Sequence, residues 1–276
     1  MKKPNSIVLA NQLRKNIEII AAEVRAAKLS ASSLKTLNRE FAEAARELES
    51  LQFKIDPLEQ PSSIFDPGNP KTVGFFVALA LTAQARSPLD GIPQIHGSGI
   101  YAIYYTGRYR HYLPISGSET PIYVGRAASN RSDARTAKEQ GPKLKTRLGE
   151  HLKTISTATA TLSPKHFEVR MLVVQSGWDA AAEEYLIRLF RPIWNKETRI
   201  IQGFGKHGDA PQTRQNKVSS WDVLHQGRKA AGHGVNPNQK SEPEIALELK
   251  RHFIEFPAYP DISSVLDGFL AELKQR

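Results

Sequence analysis

The sequence predicts an α+β fold: a small antiparallel or mixed three-stranded sheet flanked by helices, with an N-terminal helical hairpin before it and C-terminal helices after it. Three observations lead there. Between residues 99 and 190 the segments run in the order strand, strand, helix, strand, helix. Over residues 7–55 apolar side chains recur at alternating steps of three and four. From residue 241 onward two further stretches read as helices.

In chain order, Leu13, Ile17, Ile20, Val24 and Ala27 form one stripe, and Leu34, Leu37, Phe41, Ala44, Leu48, Leu51 and Ile55 a second. This is heptad spacing, and the serine-rich break at 29–33 turns the two helices into an antiparallel hairpin. Residues 56–72 are rich in proline and form a loop. The apolar run 73–85 is a buried helix. "GIYAIYYT" (99–106) and "PIYVGRA" (121–127) are strands joined by a long connection. Residues 143–155 place Leu144, Leu148, Leu152 and Ile155 on one helical face. A third strand at 166–175 and a helix at 179–190 follow, the latter stopped by Pro192. Residues 196–240 are polar, basic and glycine-rich. The expected segments are a hairpin over 1–60, a central domain with its loops over 61–240 and a helical tail over 241–276.

Lysine and arginine number 38 against 28 acidic residues, a net charge of +10, which points to a polyanion and first to nucleic acid. The chain has no cysteine, which excludes disulfides, thiolate metal sites and a cysteine nucleophile. The N-terminal apolar run is too short for a signal peptide, and no run approaches a membrane span, so a cytoplasmic protein is expected. His207, His225 and His233 fit no zinc spacing. The stretch 97–112 holds five tyrosines in sixteen residues, interleaved with arginine and bounded by glycine.

These features converge on a known pattern. Gly99-Ile100-Tyr101 on the first strand and Tyr123-Val124-Gly125 on the second, followed by Arg147 and His151 on one helix, Glu183 on the next and Asn195 after it, resemble the GIY-YIG nuclease superfamily. Val124 replaces the isoleucine of the motif, an apolar exchange. The flanking "DPGNPKTVGFFVALALTAQ" and "SSWDVLHQGR" resemble the type II restriction endonuclease branch, whose known members cut the palindrome CCGCGG. The resemblance runs from about residue 56 to about residue 230 and identifies the central domain as a GIY-YIG nuclease domain.

The resemblance implies a Mg²⁺-dependent type II site-specific deoxyribonuclease that makes double-strand breaks at a short palindrome. One Mg²⁺ per active site is expected, with Mn²⁺ as a substitute. The expected catalytic set is Tyr101, Tyr123, Arg147, His151, Glu183 and Asn195, with Glu183 as metal ligand. Residue chemistry agrees with these roles. Glu183 shares a helix face with Leu186, Ile187 and Phe190, where a carboxylate is costly unless it is paired or binds a cation. Arg147 offers a phosphate clamp, and His151 a proton acceptor near neutral pH. Tyr101 is the implied general base, although a free phenol has a pKa of about 10, so its phenolate at pH 7 costs about 4 kcal/mol.

Arg108, Arg110, Arg126, Lys143, Lys206, Arg214, Asn216, Lys217 and Arg228 are the expected DNA contacts, with Tyr109 and Tyr112 beside the first two. Expected partners are double-stranded DNA, a second copy in a homodimer and a methyltransferase of the same restriction-modification system. The alternatives are a homing or repair nuclease carrying the same module, or a non-catalytic dimeric DNA-binding regulator.

Overall fold

The computed structural model describes residues 5–27, 29–55, 66–205, 218–228 and 240–273. The chain divides into two units, Met1–Ile64 and Phe65–Arg276. The first holds α1 (Asn5–Ala26) and α2 (Ala31–Ile55). Ser30 starts α2, its hydroxyl accepting the Ser33 N–H at 3.2 Å. None of the described residues of these helices is buried, and Leu13, Ile17, Ile20, Leu34, Phe41, Leu48 and Leu51 are exposed.

The second unit is built on a four-stranded antiparallel sheet with the order β1-β4-β2-β3. Its strands are β1 (Ser87–Pro88), β2 (Gly99–Tyr105), β3 (Tyr123–Ala127) and β4 (Phe167–Val173). The sequence predicted three of them. The fourth, β1, pairs only Ser87 and Pro88 with Val169 and Glu168. Two residues leave no alternation to detect, and a proline that cannot donate to a ladder belongs at a sheet edge.

All seven residues of β2 are buried, because both faces of the sheet are covered. On one face Tyr101, Ile103 and Tyr105 pack with Leu144, Leu148 and Ile155 of α5 (Lys143–Thr157), the helix that follows the short α4 (Ala137–Gln140). Trp221 and Leu224 of α7 (Ser220–Leu224) and Ile245 and Leu249 of α8 (Glu242–Glu255) extend this core. On the other face Ile100, Ala102 and Tyr104 meet Phe75, Ala78 and Leu81 of α3 (Pro70–Thr82). Ala182, Leu186 and Phe190 of α6 (Asp179–Phe190) and Val265 and Phe269 of α9 (Ile262–Leu273) complete that layer.

Local signals set the helix ends. Asn69 caps α3 by accepting the Lys71 N–H at 2.9 Å, with Pro70 in the first turn. Arg191, at φ 47°, ends α6 in the left-handed region just before Pro192. Ser241 and Glu244 form a capping box on α8. Among the described residues no helix is long and apolar enough to cross a membrane.

Candidate active site

The two glycine motifs lie side by side. Tyr101 of β2 pairs across the ladder with Gly125 of β3, and Ile103 pairs with Tyr123. A side chain on Gly125 would start 2.5 Å from the Tyr101 hydroxyl and 2.9 Å from the Tyr123 ring. That glycine therefore makes room for the first tyrosine to lie across the second strand. Gly99, at φ +155°, has the Leu172 carbonyl 2.0 Å from where its Cβ would stand, so the first motif also needs its glycine.

Tyr101 is fully buried, and its hydroxyl lies 2.7 Å from His151 Nε2 on α5. His151 is itself fully buried and stacks on Phe204, with centroids 4.7 Å apart and rings inclined by 14°. Tyr123 stands edge-on to both rings, 5.1 Å from His151 and 5.0 Å from Phe204. Arg147 comes off α5 one turn before His151. Its guanidinium donates to the Gly205 carbonyl at 3.0 Å and pairs with Glu150 at 2.7 Å. Burial pushes the Tyr101 phenol well above its ordinary pKa, and Tyr123 adds to that rise, while Arg147 opposes it. Tyr123 is likewise raised by burial and pulled back by Arg147.

Glu183 is one-quarter exposed and close enough to raise both phenols by its charge. Burial raises its own pKa, and Arg126 opposes the shift from 3.0 Å. The same guanidinium reaches Asp179, one turn earlier on α6, at 3.1 Å. Asn195 is buried. Its amide accepts from the Val124 N–H at 2.9 Å and donates to the Val124 carbonyl at 2.8 Å, clasping β3.

The sequence profile described as the Eco29kI GIY-YIG domain matches residues 93–253, more than half of the chain. The chain belongs to the Eco29kI GIY-YIG family. A comparison with curated proteins gives no match. The matched stretch runs from just before β2 into α8 and contains all six expected catalytic positions, so the chain carries a restriction-endonuclease-like nuclease domain that acts on DNA.

Within this GIY-YIG domain the expected DNA contacts separate into groups. Arg108 is exposed, and Lys143 is partly exposed on the first turn of α5. Arg110 is exposed but engaged with Glu242 of α8. Arg228 is turned inward: its Nε lies 2.6 Å from Asp222 Oδ1, its Nη1 donates to the Gly203 carbonyl at 3.0 Å, and its guanidinium covers the Trp221 ring. It fixes the stretch 203–205 that walls the site. Lys206, Arg214, Asn216 and Lys217 lie outside the described residues.

Tyr112, expected to face DNA, is fully buried. Its hydroxyl lies 2.5 Å from His225 Nε2 and accepts from Trp194 Nε1 at 3.0 Å. The His225 ring is sealed among aromatic residues, and burial pushes its pKa down to about 3. Two more hydroxyls of the tyrosine-rich stretch have internal uses. Tyr104 accepts from Arg170 at 3.0 Å, and Tyr105 accepts from the Tyr109 N–H at 2.7 Å. Sequence reasoning missed Phe204 and Gly205, which sit in a stretch without periodicity. It also missed Asp179, although a spacing of four before Glu183 puts both carboxylates on one flank of α6.

Proposed function

We propose that this chain is a Mg²⁺-dependent type II restriction endonuclease that hydrolyses both strands of DNA at a short palindrome. The observation that carries this reading is the 2.7 Å contact between the Tyr101 hydroxyl and His151 Nε2, set beside Tyr123 and Arg147. In this pair the ionised Tyr101 takes a proton from the attacking water, while His151 holds the phenol oxygen in position. Burial disfavours the charged phenolate, and the Arg147 guanidinium offsets part of that cost. Arg147 also presents donors to a non-bridging phosphate oxygen, and the Tyr123 hydroxyl can donate to the same group. Asn195 acts through β3, as a positioning residue that keeps Tyr123 and Gly125 in register.

Glu183 offers hard carboxylate oxygens, one-quarter exposed and within electrostatic reach of both phenols, and one such carboxylate can hold Mg²⁺ together with phosphate and water oxygens, with Mn²⁺ as a substitute. Bound there, the ion would polarise the phosphate and offset its developing charge.

A palindrome has two-fold symmetry, and a chain with one such site meets it most simply as a C2 homodimer, one site per strand. Self-protection of the host would require a methyltransferase acting on the same target. A supercoiled plasmid incubated with the protein and Mg²⁺ tests the reading. Discrete fragments with identical sequenced ends are expected, along with two chains per site by light scattering on a short duplex. An intact plasmid that shifts in a gel would overturn the nuclease reading in favour of a regulator. Damage-dependent nicking would point to repair.

A further inference from the structure

Arg126 follows directly on the Tyr123-Val124-Gly125 motif, and it is the residue that meets the carboxylates of α6. Its fork spans two of them. Nη1 lies 3.1 Å from Asp179 Oδ2, and Nε lies 3.0 Å from Glu183 Oε2. The two acids are unequal partners. The Asp179 side chain is only 8% exposed, while that of Glu183 is 26% exposed and that of Arg126 is 43% exposed. Asp179 is also fixed at the start of α6, where it accepts the Gly177 N–H at 3.3 Å. The inner carboxylate is thus a fixed anchor. The outer one meets the arginine where both side chains are partly exposed to solvent.

This bears on Glu183 as a ligand. A guanidinium 3.0 Å from one carboxylate oxygen satisfies the charge that a divalent cation would otherwise satisfy. Two like-signed cations at one half-buried carboxylate repel each other, so arginine and metal compete for it. We propose that Arg126 is a built-in counter-cation that holds Glu183 in the DNA-free protein. It keeps Asp179 as its pivot, and it releases Glu183 when a DNA phosphate arrives to take its free donors. Metal and DNA then load together: the phosphate that draws Arg126 away uncovers the carboxylate for the ion, and the ion frees Arg126 for the phosphate. Such coupling is reciprocal by thermodynamic necessity. The inference rests on the reading of Glu183 as the metal ligand.

Mn²⁺ binding to the full-length protein without DNA, followed by the electron paramagnetic resonance signal of the free ion, tests it. Arg126→Gln should bind Mn²⁺ about five- to tenfold more tightly than wild type, at the lower end of measured coupling factors. Arg126→Lys keeps a charge for Asp179 but cannot hold both carboxylates, so it should show a smaller gain in the same direction. It carries the test if Arg126→Gln fails to fold by circular dichroism. Glu183→Ala should lose the site in either background. Unchanged or weaker Mn²⁺ binding in a folded Arg126 variant would overturn the counter-cation, with the metal assignment untouched. Undiminished binding by Glu183→Ala would overturn the metal assignment, and the counter-cation with it.

Discussion

Tyr101 starts further from the role of a base than a free phenol does, because burial raises its pKa well above 10. The sign of the pH dependence follows. The reactive phenolate is the minor form at neutral pH, and its fraction grows tenfold per unit until the raised pKa is reached. Single-turnover cleavage should therefore climb with pH across the neutral and mildly alkaline range without levelling off. Tyr101→Phe keeps the ring that fills the core and loses only the hydroxyl, so folding should persist while cleavage falls by about 10²–10⁴-fold. A variant that cuts at the wild-type rate, with the same pH profile, would move the base role to His151 or to solvent. Why the chain groups so many phenols also has an answer at this scale. In the tyrosine-rich stretch the Tyr104, Tyr105 and Tyr112 hydroxyls tie down Arg170, the 105–109 turn and His225, and Tyr101 is the one set beside His151.

Among the elements, β3 is the one on which the site most depends. It is an edge strand of five residues, yet it carries Tyr123, Gly125 and Arg126. The side chain of Asn195 takes the place of a further strand by pairing with both backbone groups of Val124. Asn195→Ala would leave a buried N–H and a buried carbonyl unpaired, at about 1–3 kcal/mol each. Urea denaturation should show that loss of stability, together with a fall in cleavage. Asn195→Asp keeps the acceptor but not the donor and should lie between. Unchanged stability in Asn195→Ala would remove the clasp from the account.

Much of this level was legible in the sequence. β2, β3, β4, α5 and α6 are long enough to show their periods, and the spacing from Arg147 to His151 put both on one helix flank. The wall at 203–205 was not legible, because its placement rests on Arg228, Asp222 and Trp221 meeting across a stretch with no repeat. Nor was the inward turn of Arg228: a lone arginine in a basic segment gives no sign of whether it faces DNA or a carboxylate.

For the whole molecule, the net charge of +10 suits a protein that docks on phosphates. In the Met1–Ile64 unit none of the described heptad residues is buried, whereas the Phe65–Arg276 unit closes two apolar layers over one sheet. The proposed base therefore hangs from the strand that both layers cover. Amide hydrogens of β2 lie between β4 and β3 and under α3, α5 and α6, so they should exchange at the rate of global unfolding. Deuterium uptake followed by mass spectrometry should show Ile100–Tyr105 among the last segments to label. Heat inactivation should then track complete unfolding, with no softened but inactive intermediate. Early labelling of β2 in a protein that still cuts DNA would contradict this. On heating, a nuclease arranged in this way loses its site and its fold together.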